Sequence, residues 1–372
     1  MNFICTKSDL LQAIQINIKA ISSKPQMPIL SGIYIHAEDN TLDIETTDYD
    51  IGIICKIQAD VKEPGTIVLP GRYFADVIKT LPGDNIEISS DTEQNTINIK
   101  SNTAKFNLLS MSANEFPKIK KLESENNLSI RSNILIDLIK KTSFACATEM
   151  IRPVFTGCLL ELNNAELTMA ATNTHRLAIK KEIMDDNNID LSAKFIIPAK
   201  ILNDLAALLV ADIPIDVNIS YSHNQISFTY ENIYIVSRLI EGQFPNYNTV
   251  IPPSFSSSVL IKTKELQGAI DRVSLISRSN QYNIITLAFD TDNLLLSSNN
   301  PEIGKAEENI DIKLNGQPMN ISFNAKYILD ILKYIDSENI TFSFNTEVSP
   351  AAIKAVGDDM FIYVVTPVRK AV

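Results

Sequence analysis

Pro70-Gly71-Arg72-Tyr73, Pro198-Ala199-Lys200-Ile201 and Asn324-Ala325-Lys326-Tyr327 are three versions of one short text, each opening an apolar helical stretch. They stand about 128 and 126 residues apart (198 − 70 and 324 − 198). Solenoid and propeller repeats run roughly 20 to 50 residues, so this period is too long for either. A unit of about 125 residues can bury a core of its own. The spacing predicts three similar domains in tandem.

Upstream of each text lies another helix signal. Leu10, Leu11, Ile14, Ile18 and Ile21 recur at helical spacing after Ser8, and Asp9 adds favourable charge to the first turn. Ile134, Leu135, Leu138 and Ile139 follow Ser132, and Leu266, Ile270, Val273 and Ile276 follow Thr263. Ser8, Ser132 and Thr263 are expected to be hydroxyl N-caps. Strand pairs come next, turning at Asp39-Asn40, Asn163-Asn164 and Asp292-Asn293. The first two pairs end in matching corners, Thr47-Asp48 and Thr172-Asn173. Phe116-Pro117, Phe244-Pro245 and Thr366-Pro367 close the copies, and polar or Pro/Ser-rich linkers follow the first two. The expected domains are residues 1–122, 128–248 and 256–372, each α+β with two helices against antiparallel sheet.

Composition narrows the class. Of 372 residues, 45% are hydrophobic and 21% charged, as in an ordinary globular protein. No apolar run approaches the ~18 residues of a membrane span. The start, Met1-Asn2-Phe3-Ile4-Cys5, has no basic and apolar leader, so a cytoplasmic protein without a membrane partner is expected. Cys5, Cys55, Cys146 and Cys158 form no CxxC pair and read as buried, reduced thiols. The 11 glycines form no phosphate loop, and His36, His175 and His223 have no metal-ligand spacing. No nucleophile motif occurs. These patterns point away from an enzyme and from any cofactor or metal.

A formal net charge of −11 argues by itself against a nucleic-acid partner. The helices carry cations nonetheless. The first helices hold Lys19, then Lys140 and Lys141, then Lys264 and Arg272; the second hold Arg72 and Lys79, then Lys200, then Lys326 and Lys333. Lysine suits any solvated helix face. A cation at one aligned place in all three copies, Arg72, Lys200 and Lys326, asks for more than that. Copy two also departs from copy one at the hairpin corner, reading Thr172-Asn173-Thr174-His175-Arg176-Leu177 against Thr47-Asp48-Tyr49-Asp50-Ile51-Gly52. His175 is either an ordinary loop histidine or part of a function confined to copy two.

Taken with Lys24-Pro25-Gln26-Met27-Pro28-Ile29-Leu30, Gln243-Phe244-Pro245-Asn246-Tyr247 and Tyr363-Val364-Val365-Thr366-Pro367-Val368-Arg369, these features resemble the bacterial replicative sliding clamps, the beta subunits of DNA polymerase III. The resemblance covers the whole chain. It implies three clamp domains closing as a head-to-tail homodimeric ring, with helices lining the hole and the acidic excess outside. The function implied is a non-catalytic processivity factor that encircles double-stranded DNA without reading sequence. Implied partners are the polymerase alpha subunit, the clamp loader and other clamp-motif proteins. A three-domain peptide-binding scaffold without DNA is the alternative.

By the same resemblance, Lys24, Arg72 and Lys200 contact DNA, and the repeat extends this to Lys326. Phe106 and Leu108 on one side, and Leu275 and Ile276 on the other, are the implied dimer contacts. The implied groove for partner peptides comprises Thr172, His175, Arg176, Leu177, Pro245, Val250, Tyr327, Val364, Pro367, Val368 and Arg369. Four positions depart from the family pattern: Thr174 for glycine, Thr249 for arginine, and Thr366 and Val368 for methionines. Lys370-Ala371-Val372 extend past the usual stop. Losing two adaptable methionines is expected to narrow or weaken peptide recognition.

Overall fold

The structure is a computed structural model. It describes residues 1–22, 25–91, 94–124, 126–184, 192–210, 213–278 and 283–369. Among them are six α-helices, two per repeat: α1 (Lys7–Asn17), α2 (Gly71–Thr80), α3 (Ser132–Thr142), α4 (Ala199–Leu208), α5 (Thr263–Val273) and α6 (Ala325–Leu332). The three aligned texts do open α2, α4 and α6. In α2, Phe74 and Ile78 are buried while Arg72, Tyr73 and Lys79 are exposed, so one face is apolar at helical spacing.

The expected hydroxyl caps need correction. Thr6, two residues ahead of Ser8, caps α1, its Oγ1 accepting from the Asp9 amide at 3.2 Å. Ser132 and Thr263 are the first residues inside their helices. Ser132 Oγ accepts from the Ile215 amide at 3.1 Å, and Thr263 Oγ1 donates to the Ser337 carbonyl at 2.7 Å. These hydroxyls bind a helix start to a distant strand start. All three repeats place that tie at one point: the amides of Lys7, Ser132 and Thr263 donate to the carbonyls of Asp84, Ile215 and Glu338. Sequence-local capping rules cannot see a partner so far along the chain.

The chain packs as two compact units, Met1–Asn133 with Ala207–Leu239, and Ile134–Ala206 with Ile240–Val372. In the first, an eight-stranded antiparallel sheet runs Asn127–Arg131, Asp216–Tyr221, Gln225–Tyr230, Ile233–Arg238, Ile51–Gln58, Thr41–Thr47, Gly32–Glu38, Gly65–Pro70. A five-stranded sheet ends on Ala104–Leu109, which among the described residues pairs only with Thr96–Ser101. α1 packs on α2 and on the strands Thr41–Thr47 and Ile51–Gln58. In the second unit, a nine-stranded sheet joins Arg176–Ile183 of copy two to Phe361–Val365 of copy three. A four-stranded sheet there ends on Gly304–Asp311, against which α5 packs.

Each large sheet therefore draws strands from two repeats, where the sequence reading gave each repeat a sheet of its own. Strand patterning reports which face is buried but not which neighbour pairs, so this sharing is invisible in a linear reading. The cores are ordinary. Phe3 and Phe74 are fully buried in the first unit, and Phe289, Phe342 and Phe344 in the second. Each such side chain contributes about 1.5–3 kcal/mol on removal from water. All four cysteines are buried and free, and burial pushes the Cys5 and Cys55 thiols up to about 12.

Candidate functional site

The corner between Glu166–Thr172 and Arg176–Ile183 is closed by its own side chains. Thr172 Oγ1 donates to the Arg176 carbonyl at 2.7 Å and accepts from the Thr174 amide at 3.1 Å. Asn173 Oδ1 accepts from the amides of His175 and Arg176, each at 3.1 Å. Short polar side chains that bond the backbone two or three residues on are the chemistry of a tight turn. Thr174 sits at φ 78°, in the left-handed region. A glycine would enter that region without strain. Copy one builds the same corner from Thr47, Asp48 and Tyr49, with Tyr49 at φ 75°.

Beside the copy-two corner lies a cavity of about 240 Å³. Leu177 and Val364, paired across the two strands, form its floor. Phe155 and Tyr247 wall it, and the exposed Pro245 and Val250 stand at its mouth. Tyr247 donates to Glu161 Oε2 at 2.6 Å; burial and then this bond raise its pKa, so the phenol stays neutral. Thr366 donates to the His175 carbonyl twice, from its amide at 2.9 Å and its hydroxyl at 2.5 Å. Across the Thr174-His175 turn lies a larger cavity of about 470 Å³, lined by Glu149, Arg152 and Tyr327. The His175 and Tyr327 rings stack there at 6.5 Å. Apolar walls with a few oriented polar groups are what a short peptide with aliphatic and aromatic anchors requires.

Seven of the expected groove residues line the smaller cavity: Thr172, His175, Arg176 and Leu177 at the corner, with Pro245, Val250 and Val364. Tyr327 lines the larger one. Pro367, Val368 and Arg369 line neither. Val368 instead donates its amide to the Ser322 carbonyl at 2.7 Å, fastening the chain end to the strand Met319–Asn324. Arg176 is committed elsewhere. Its guanidinium is buried, bonds Asp330 at 2.7 Å and the Phe144 carbonyl, and lies 4.6 Å from the Tyr327 ring centre. Sequence reasoning missed Phe155, named Thr174 and Thr366 only as departures from the family pattern, and left Asn246 and Tyr247 out of the lining. The last two belonged to a quoted signature; Phe155 sits in the short turn Pro153–Phe155, which carries no periodic pattern.

Arg72, Lys200 and Lys326 are each the second residue of their helix, and all three are exposed. Lys200 lies 3.7 Å from Asp204. A cation in a helix's first turn opposes the helix dipole, a cost of about 0.3–1 kcal/mol. Three helices accept that cost at one aligned place. Lys24 lies outside the described residues. Phe106 and Leu108 stand on the edge strand Ala104–Leu109, with Phe106 40% exposed. Leu275 and Ile276 lie not on a strand but in the turns after α5, and Leu275 is 56% exposed. α5 itself is tied to the edge strand Gly304–Asp311 by Arg272, whose Nε donates to Glu308 at 2.9 Å.

Comparison with known proteins covers the whole chain. Family models for the N-terminal, central and C-terminal domains of the DNA polymerase III beta subunit match residues 1–120, 129–246 and 248–369. The Bacillus subtilis beta sliding clamp is 35% identical across 99% of this chain and 100% of its own length. The Staphylococcus aureus beta sliding clamp is 32% identical, covering 99% of each chain. Among solved structures, the Bacillus subtilis DNA polymerase sliding clamp superposes with a TM-score of 0.94 at 34% identity, covering 100% of both chains. A Pseudomonas aeruginosa sliding clamp bound to griselimycin gives 0.92 at 30% identity, also covering 100% of both. Three clamp domains of helices and antiparallel sheet, matched end to end, place this chain in the DNA polymerase III beta subunit family.

Proposed function

We propose that this protein is a DNA polymerase processivity factor, two copies of which close head to tail around duplex DNA. Polymerase alpha subunit, clamp loader and other partners dock by inserting short peptides into the Leu177–Val364 groove. The chain itself performs no catalysis; it holds DNA by topological linkage and partners by contact.

The observation that carries this reading is the recurrence of an exposed cation at the second position of α2, α4 and α6 in a chain of net charge −11. Attraction between such cations and phosphate is independent of sequence and survives sliding, unlike hydrogen bonds to base edges. The acidic remainder discourages adsorption of DNA elsewhere. Two of the sheet edges, Ala104–Leu109 and Gly304–Asp311, pair on one side only among the described residues and support ring closure, because pairing between copies would cover both.

The test is retention on DNA after loading by an ATP-driven clamp loader. Rings are expected to stay on nicked circular DNA through gel filtration and to leave within seconds once a restriction enzyme linearises it. Equal retention on both forms would mean ordinary adsorption. Failure to stay on either would favour a peptide-binding scaffold without DNA.

A further inference from the structure

The junction that carries the groove in the second unit has a counterpart in the first. Leu177 stands opposite Val364 in one, and Gly52 opposite Val236 in the other, in the same register. Beside Gly52 lies a cavity of about 320 Å³. Its lining falls on aligned positions: Tyr49 and Asp50 where the groove has Thr174 and His175, Lys118 and Ile119 where it has Asn246 and Tyr247, and Arg238 where it has Thr366. Both corners are closed by the same pattern of side-chain bonds to the backbone.

The chemistry at those positions differs in two ways. Gly52 has no side chain where the groove has leucine, and Ile119 fills the space. Two of its carbon atoms lie 3.2 Å from where a Cβ on Gly52 would stand, and it packs on Ile54, Tyr234 and Val236. The floor is therefore apolar, and Ile119 stands on it. The rim carries three cations and one carboxylate, Asp50. Lys118, Lys120 and Arg238 are exposed there, against Asn246, Asn248 and Thr366 in the second unit. Among the described residues Lys118 and Lys120 form no salt bridge, and Arg238 reaches only Asp50, at 3.9 Å.

We infer that this cavity is a second peptide site, quasi-equivalent to the groove, that takes an acidic segment carrying one small aliphatic anchor. The anchor rests on Ile51, Ile119 and Val236, and flanking carboxylates face the three cations. A large leucine or aromatic anchor is disfavoured because Ile119 already holds that place. Attraction at such an exposed rim is screened by salt, so binding weakens as ionic strength rises.

The experiment uses the full chain and two fluorescein-labelled peptides. One has a single valine among four glutamates; the other has lysines in place of the glutamates. Anisotropy at low salt is expected to show saturable binding of the acidic peptide, at least tenfold tighter than that of the basic one. K118E/K120E is expected to lose tenfold or more while melting at the wild-type temperature, both side chains being exposed. Should the reversal lower the melting temperature, K118Q/K120Q serves, with a loss of about threefold. An excess of unlabelled peptide rich in glutamine, leucine and phenylalanine should leave the acidic peptide bound. Undiminished binding by the lysine variants would overturn the site. Displacement by the competitor would assign the peptide to the first groove, and displacement by a short DNA duplex would make these cations a phosphate surface. Either result also ends the proposal, and neither bears on retention of the ring on circular DNA.

Discussion

Thr174 shows how a single residue records both a turn and a cost. At φ 78° a β-branched side chain is strained, by about 1–3 kcal/mol in general. Thr174→Gly relieves this and adds unfolded-chain entropy of about 0.4–1 kcal/mol in the opposite sense. The expected net is a stabilisation of about 0.5–1 kcal/mol, read as a raised midpoint in urea unfolding. A lowered midpoint would show that the Thr174 side chain makes compensating contacts. The corner itself was legible in the sequence, because Thr172 and Asn173 are turn-forming types at turn spacing. The inward course of Arg176 was not, since its partners Phe144 and Asp330 lie 32 and 154 residues away.

At the scale of elements, one carboxylate ties three of them together. Asp358 receives Lys180 at 3.0 Å and Lys141 at 3.1 Å, joining the strand Arg176–Ile183 and the helix α3 to the turn before Phe361–Val365. Burial alone would raise the Asp358 pKa; the hydrogen bonds from Lys180 and Lys141 outweigh it and hold the group below its usual 3.8. A depressed carboxylate contributes stability that is fully present above its unfolded pKa and lost as pH falls through the folded one. Asp358→Asn should therefore cost about 1–2 kcal/mol at pH 7 and flatten the loss of stability below about pH 4. That figure lies between exposed and buried pairs, because Asp137 stays 3.0 Å from Lys141 and solvent screens the site. An unchanged acid limb in pH-dependent melting would refute the role. The edge strand offers a second test: with Phe106 and Leu108 both changed to Asp, sedimentation should find monomers with native circular dichroism. The helices were readable from periodicity, although Ile18, Ile21 and Ile276, read as helical, lie beyond the ends of α1 and α5; the pairing of Ile233–Arg238 with Ile51–Gln58 was not, because a strand's pattern names a face and never a partner.

For the whole molecule, charge and topology make separable contributions to holding DNA. The triplication was legible because a 125-residue period survives in the sequence even where the copies have diverged in chemistry. The proposed ring needs its cations to guide DNA during loading, while linkage to a closed circle requires only that the ring stay shut. Changing Arg72, Lys200 and Lys326 together to Ala removes the three charges per chain that the proposal turns toward phosphate and leaves the sheet edges untouched. Loading onto nicked circles should slow by roughly tenfold or more at physiological salt, and its dependence on salt should become shallower, since each neutralised phosphate contact adds about 0.9 to that slope. The dimer should sediment as before. Rings that do load should then persist on the closed circle about as long as wild type, because no step of their escape breaks an attraction that the substitutions removed. Rapid loss of the triple variant from intact circles, with the dimer unaltered, would mean that electrostatic contact rather than closure retains the protein on DNA.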